Sequence, residues 1–245
     1  FLYRELGLNF VYKAFTTTDL PGVITGIRAL AIRGCAVSMP FKEACIEWLD
    51  GLDPSAEGIM SVNTIVNTSG VLRGYNTDYT AVFSLLKSRG VSPDLEFALR
   101  GSGGMAKAVV CALRDVGFSN GTIIARNGSA GAVLASQYGY RWRSEPDESQ
   151  PGLLINVTPI GMAGGAEAED LSFAPQAIEA AEVVFDVVAN PAETPLIRLA
   201  RALGKPVISG ADVIVLQAVE QFVLYTGVRP ADELVARAAA FTRQA

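Results

Sequence analysis

A glycine cluster between a β-rich run and a helix constrains this chain most. Leu95 to Leu99 leads into Arg100-Gly101-Ser102-Gly103-Gly104, and Met105 to Val116 then carries helical spacing. Such a turn lets the backbone reverse sharply and leaves helix N-terminal amides facing an anion, which is how a strand–turn–helix unit holds a pyrophosphate. The alternation continues downstream. Thr122 to Ala125 reads as a strand, Ala130 to Tyr138 as a helix, Leu153 to Val157 and Val183 to Val188 as strands, and Pro195 to Ala202 as a helix. Val/Ile-rich runs alternating with amphipathic Ala/Leu-rich stretches call for a parallel sheet covered by helices. At 245 residues the chain has room for a second unit beside this one.

Upstream, Phe1 to Gly7 reads as a helix tail, Phe10 to Phe15 as a strand, and a helix starts where Asp19 can cap and Pro21 fits the first turn, ending near Arg33-Gly34. A strand over Ala36 to Ser38 is stopped by Pro40, and Phe41 to Leu49 returns to helical spacing. Val62 to Val66 and Val71 to Tyr75 flank Asn67-Thr68-Ser69-Gly70, a hairpin signal. A helix over Asp78 to Lys87 leads out, and Gly90 to Pro93 is the best seam in the chain. Ser144 to Pro151 and Gly161 to Asp170 read as surface loops. Helices over Ala211 to Tyr225 and Ala231 to Thr242 are expected to close back on the first unit. The expected fold is therefore α/β in two domains, one discontinuous over 1–82 and 211–245, the other spanning 83–210. Phe1 already sits in helical spacing, so a short segment is expected to precede it; no signal peptide is visible.

Composition excludes several function classes. A formal charge of −5 offers no basic footprint for nucleic acid or an anionic membrane. No run reaches the roughly 18 uncharged apolar residues of a membrane span, since Val213 to Thr226 is interrupted by Gln217, Glu220 and Gln221. The 3 cysteines, Cys35, Cys45 and Cys111, form no CxxC pair, which points to a reducing, cytoplasmic compartment and away from a metal cluster. With 0 histidines, any proton transfer must use Lys, Asp, Glu, Tyr, Cys or water.

Three positions carry candidate chemistry. A dinucleotide fold selective for NAD has an acidic residue about 20 residues past the glycine turn, bonded to the ribose 2′-hydroxyl. Here the second strand ends in Arg126-Asn127, and a guanidinium there pairs with a 2′-phosphate, favouring NADP. Lys42 follows the strand end Ser38-Met39-Pro40-Phe41, and Asp78 follows Gly74-Tyr75-Asn76-Thr77. Polar groups at C-terminal strand ends are where α/β sheets place ligands, although a solvated lysine and a helix cap fit the same positions.

The order Val37-Ser38-Met39-Pro40-Phe41-Lys42, Val62-Asn63-Thr64-Ile65, Gly74-Tyr75-Asn76-Thr77-Asp78, Gly101-Ser102-Gly103-Gly104, Asn156-Val157-Thr158-Pro159-Ile160-Gly161-Met162, Asp186-Val187-Val188, Thr194-Pro195-Leu196, Gly210 and Gln217 resembles the shikimate dehydrogenase family from end to end, closest to its shikimate dehydrogenase-like subgroup. The resemblance implies a substrate domain, a Rossmann-type NADP domain and an active site in the cleft. It implies NADP-dependent interconversion of shikimate, or a close cyclic polyol carboxylate, and its 3-dehydro form, as in the shikimate pathway of aromatic amino acid biosynthesis. By the same resemblance Lys42 and Asp78 are the catalytic pair, with Lys42 or a water it holds taking the hydroxyl proton. Ser38, Asn63 and Gln217 contact the substrate. Gly101, Ser102, Gly103, Gly104, Met105, Ala106, Arg126, Thr158 and Gly210 hold NADP. No partner beyond the small-molecule substrate is implied, and monomer and homodimer both remain open.

The chain departs from the family pattern at the substrate. The family's N-terminal pair of serines has no counterpart, Ala189 stands where a tyrosine is usual, and Ala125-Arg126-Asn127 replaces Asn-Arg-Thr without a second basic residue following. Quinate, an aminated analogue or another cyclic polyol fits the same motif order. So does a catalytically weak NADP-binding sensor or metabolic partner protein; a folate dehydrogenase of related architecture fits it less well.

Overall fold

Asp19 accepts a hydrogen bond from Gly22 N at 2.9 Å, and Pro21 lies in the first turn, so the first long helix starts where its cap dictates. The computed structural model describes residues 1–242. Two compact units emerge: one comprises Phe1–Thr77 and the C-terminal stretch from Val215, the other Asp78–Ile214. These divisions fall inside helices, a few residues from the 82/83 and 210/211 boundaries read from sequence.

The first unit runs α1 (Leu2–Glu5), α2 (Leu20–Ala29), β1 (Gly34–Ala36), α3 (Phe41–Ala44), β2 (Gly51–Leu52), α4 (Pro54–Glu57), β3 (Thr64–Thr68) and β4 (Val71–Tyr75). Its sheet has the order β1-β3-β4-β2, with β3 antiparallel to both β1 and β4 and β2 parallel to β4. Thr68 pairs with Val71, so the hairpin closes on Ser69-Gly70 alone, both with positive φ (53° and 89°). That is the two-residue geometry whose twist matches the strands. Asn67 supports it by accepting from Gly70 N at 2.8 Å. Ile24, Ile27, Cys45, Ala56, Val62, Ile65 and Leu72 form the core here.

Three local expectations for this unit are corrected. Phe10 to Phe15 forms no strand: Val11 is 91% and Phe15 86% exposed, and β propensity without a ladder partner makes only extended chain. The strand read as Ala36 to Ser38 lies at Gly34–Ala36, where it pairs with Thr64 to Val66. Phe41 to Leu49 is a short helix followed by a 3₁₀ turn, Ile46–Trp48, not one helix.

The second unit holds most of α5 (Thr77–Ser88), then β5 (Phe97–Arg100), α6 (Gly104–Val116), β6 (Gly121–Ile124), α7 (Gly128–Tyr138), β7 (Arg141–Arg143), β8 (Leu153–Asn156), α8 (Pro175–Ala180), β9 (Val183–Asp186), α9 (Pro195–Ala202), β10 (Val207–Ile208) and the start of α10 (Gly210–Thr226). Helix α11 (Asp232–Thr242) belongs to the first unit. The 6 strands of the second unit lie in the order β10-β9-β8-β5-β6-β7, all pairs parallel. This is the doubly wound Rossmann arrangement, with its switch point between β5 and β8. The α/β fold with a Rossmann-type parallel sheet is thus as expected. Phe97, Leu99, Leu153, Leu154, Ile155 and Phe185 are fully buried, which explains why β5, β8 and β9 read as continuous apolar runs. Sequence reading missed β7 and β10. Arg141-Trp142-Arg143 is an exposed edge strand flanked by charge, and Val207-Ile208 is too short for a pattern. Among the described residues no helix is long and apolar enough to cross a membrane.

Candidate dinucleotide and substrate sites

The glycine turn after β5 divides its work between packing and access. Gly101 has φ +127°, and a Cβ there would lie 2.7 Å from Val157 Cγ2 and 3.0 Å from the Val157 carbonyl oxygen. Only glycine fits that bend against the β8 strand end. At Gly103 and Gly104, by contrast, a Cβ would meet nothing within 4 Å. The protein's own packing therefore does not demand those two glycines. Gly103 caps α6 without any side-chain bond, which leaves the first amides of a 13-residue helix to address an anion. Ala106 is fully buried and packs into the core, so it shapes the turn from behind, while Met105 is half-buried.

Beside this turn lies a pocket of about 270 Å³, at the C-terminal ends of β5, β6 and β8. Gly101, Ser102, Arg126, Asn127 and Thr158 line it, together with Arg100 and Ser144. Asn127 does structural work, its Oδ1 capping α7 by accepting from Ala130 N at 3.2 Å. Arg126 extends into solvent and meets Glu167 at 3.3 Å. Arg100 was missed by sequence reading, which looked for a second basic residue after Arg126. Parallel register sets Arg100 opposite both Ile124 and Asn156, and its guanidinium donates to the Ser172 carbonyl at 2.5 Å and lies 4.0 Å from Glu145. An arginine closing a buried strand immediately before a glycine turn was the available signal.

A buried polar network holds the pocket floor. Thr158 donates through both N (3.1 Å) and Oγ1 (2.6 Å) to Asn156 Oδ1, and Asn156 Nδ2 donates to Asp186 Oδ1 at 3.0 Å. Asp186 also accepts from Val188 N at 3.0 Å and from Thr194 Oγ1 at 2.7 Å. Thr194 in turn caps α9 by accepting from Ile197 N. Burial pushes the Asp186 carboxyl up to about 6, only partly offset by the bonds from Thr194, Val188 and Asn156. Gly210 does not line this pocket. It starts α10 against the end of β9, where a Cβ would fall 2.3 Å from the Val188 carbonyl carbon.

The remaining candidates lie on short elements. Lys42 is half-buried on α3, and its carbonyl accepts from Val62 N at 2.8 Å, which ties that helix to the residue before Asn63. Ser38 is exposed, its carbonyl accepting from Phe41 N at 3.0 Å. Asn63 is buried, and its Oδ1 accepts from Thr77 N (2.8 Å), Thr77 Oγ1 (3.2 Å) and Thr64 Oγ1 (3.0 Å). Those bonds fix the start of α5, where Asp78 occupies the first turn. Gln217 is half-buried on α10. One turn later Gln221, which sequence reading did not single out, donates to Thr64 Oγ1 at 3.0 Å and accepts from Tyr12 at 3.3 Å.

Comparison with known proteins places this chain. The substrate-binding domain model of shikimate dehydrogenase matches residues 1–65. A shikimate dehydrogenase-like protein of Haemophilus influenzae is 57% identical over 243 residues, covering 99% of this chain and 90% of its own length. An NADP(+) shikimate dehydrogenase of Moorella thermoacetica is 37% identical over 240 residues, covering 90% of this chain and 79% of its own. Among solved structures, shikimate 5-dehydrogenase of Thermus thermophilus, determined with NADP(H) and shikimate, superposes with a TM-score of 0.85 at 30% identity, covering 97% of this chain and 90% of its own. On these matches, and on a glycine turn, arginine-bearing strand end and parallel sheet of the kind just described, this chain belongs to the shikimate dehydrogenase family of oxidoreductases.

Proposed function

We propose that this protein is an NADP-dependent dehydrogenase interconverting shikimate, or a close cyclic polyol carboxylate, and its 3-dehydro form. The observation that carries the reading is the pocket shared by Gly101, Ser102, Arg126 and Thr158 at the switch point of a parallel sheet, beside an uncapped helix start. Those features fit a pyrophosphate and a 2′-phosphate, so Gly101 to Ala106 and Arg126 would hold NADP, with Gly210 shaping the fold nearby. Held there, NADP would supply a hydride acceptor for the ring carbon that bears the hydroxyl.

Residues of the first unit, together with Asp78 at the start of α5, supply the remaining chemistry in this reading. Lys42, or a water it holds, takes the hydroxyl proton, and Asp78 orients that lysine and the hydroxyl. An adjacent carboxylate by itself raises a lysine pKa, so the aspartate serves orientation rather than basicity. Asn63 has its Oδ1 committed to Thr64 and Thr77, which leaves the amide Nδ2 as the end that addresses a ring hydroxyl. Ser38 and Gln217 complete the substrate contacts. The test is a panel of shikimate, quinate and aminated analogues assayed with NADP and NAD. Turnover of a cyclic polyol carboxylate with NADP supports the reading, whereas tight NADPH binding without turnover of any cyclic acid favours a catalytically weak NADP-binding sensor or partner protein.

A further inference from the structure

The guanidinium assigned to the 2′-phosphate already has a carboxylate on it. Arg126 Nη2 lies 3.3 Å from Glu167 Oε2 and Nη1 lies 3.5 Å from Oε1, a fork-to-fork approach. The loop that presents Glu167 is tied down at several points. Gly161 N and Asp170 N both donate to the Glu167 carbonyl, at 2.8 Å and 3.2 Å, and Ala163 N donates to the Asn190 carbonyl at 2.9 Å. That loop leaves the pocket wall directly after Thr158 and Pro159, so its carboxylate is fixed at the rim rather than carried on a free tether.

We propose that Glu167 is a cofactor-selectivity residue, whose carboxylate occupies Arg126 and thereby weakens the preference for a 2′-phosphorylated dinucleotide over its 2′-hydroxyl counterpart. This rests on Arg126 being the arginine that reads the 2′ position. A 2′-phosphate carries about −1.5 to −2 charge near neutral pH. To reach Arg126 it must displace the carboxylate and then sit beside a like charge. A 2′-hydroxyl meets neither obstacle and can donate to the same carboxylate. Glu167 therefore acts against one ligand and is neutral or favourable toward the other, which is how specificity is set by an opposing group as well as an attractive one.

The experiment measures dissociation constants for NADPH and NADH, and for 2′,5′-ADP and 5′-AMP as fragments, on the wild type, Glu167→Gln, Arg126→Ala and the double variant. Glu167 is partly exposed, so Gln should leave the melting temperature unchanged and serve as the folding control. Glu167→Gln should tighten NADPH and 2′,5′-ADP about five- to tenfold, the scale of one surface ion pair plus one like-charge contact, and change NADH less than about twofold. The gain should shrink at high salt and fall to about twofold when Arg126 is already Ala. An NADPH/NADH ratio unmoved by Glu167→Gln, while Arg126→Ala lowers it, overturns the role of Glu167 and leaves the NADP reading standing. A ratio unmoved by Arg126→Ala overturns both.

Discussion

The two sheets support their candidate residues in different ways. In the parallel sheet, Gly101, Arg126 and Thr158 sit at the ends of buried 4-residue strands, and the buried Asn156, Asp186 and Thr194 fix the loops beyond them. In the mixed sheet, Lys42 rides on a 4-residue helix, and Ser38 follows a 3-residue strand beside Met39, which is 83% exposed. A phosphate-binding turn can thus be built into the core of a domain, whereas the substrate contacts proposed here hang on short elements held by a few hydrogen bonds. Substrate choice should accordingly be easier to alter by substitution than dinucleotide binding.

The sharpest way to break that contrast is Lys42→Ala. It should lower kcat by about 10² to 10⁴ and leave the NADPH dissociation constant unchanged, as loss of a positioned proton-transfer group does. Steady-state kinetics with a nucleotide titration decides it, and full activity would reduce Lys42 to a surface lysine.

Asp186 tests the other side. A folded-state pKa raised from 3.8 to about 6 means that the native state holds the proton more tightly than the unfolded chain. Its stabilising share is therefore complete below the unfolded value, is lost as pH rises toward the folded value, and is gone above it, a change of about 3 kcal/mol. Asp186→Asn can still accept from Asn156 and Val188, so its stability should gain on the wild type by roughly that amount between pH 4 and pH 7. Urea unfolding of both proteins at intervals of one pH unit gives the difference, and a constant difference would mean that the carboxyl does not titrate in this window.

Smaller effects sharpen the picture at Arg126 and Asn127. Arg126→Ala should weaken NADPH by about 1.5 to 3 kcal/mol, roughly 10- to 150-fold, without changing NADH, as expected for a charge-assisted bond to phosphate. Equal wild-type affinities for the two nucleotides would contradict it. Asn127→Ala removes the α7 cap and should cost about 1 kcal/mol of stability, readable in the same urea series.

How far the sequence could be read follows the same divide. The buried strands β5, β6, β8 and β9 were visible because parallel strands covered on both faces are written as unbroken apolar runs. Phe10 to Phe15 is also rich in residues of high β propensity but has no ladder, and nothing in a propensity scale distinguishes the two. Arg126 and the glycine turn were legible because their chemistry is local. Arg100 and Glu167 were not: one enters the pocket through strand register, and the other reaches Arg126 across 41 positions of sequence. Gln221 reads in sequence only as a polar break in an apolar run for a related reason, since its partners Thr64 and Tyr12 lie at the other end of the chain.

The exposure of Arg126 and Glu167 beside a buried Asn156–Asp186–Thr194 framework bears on how such a protein evolves. Their side chains are 64% and 34% exposed, so neither substitution disturbs the core, whereas Asp186 is fully enclosed. If these two side chains set nucleotide preference as proposed, that preference is a nearly neutral trait with respect to folding, open to retuning by single codon changes. A library varying only positions 126 and 167 should contain NAD-using and NADP-using members of nearly equal stability, and a few rounds of selection would suffice to exchange one economy of reducing power for the other.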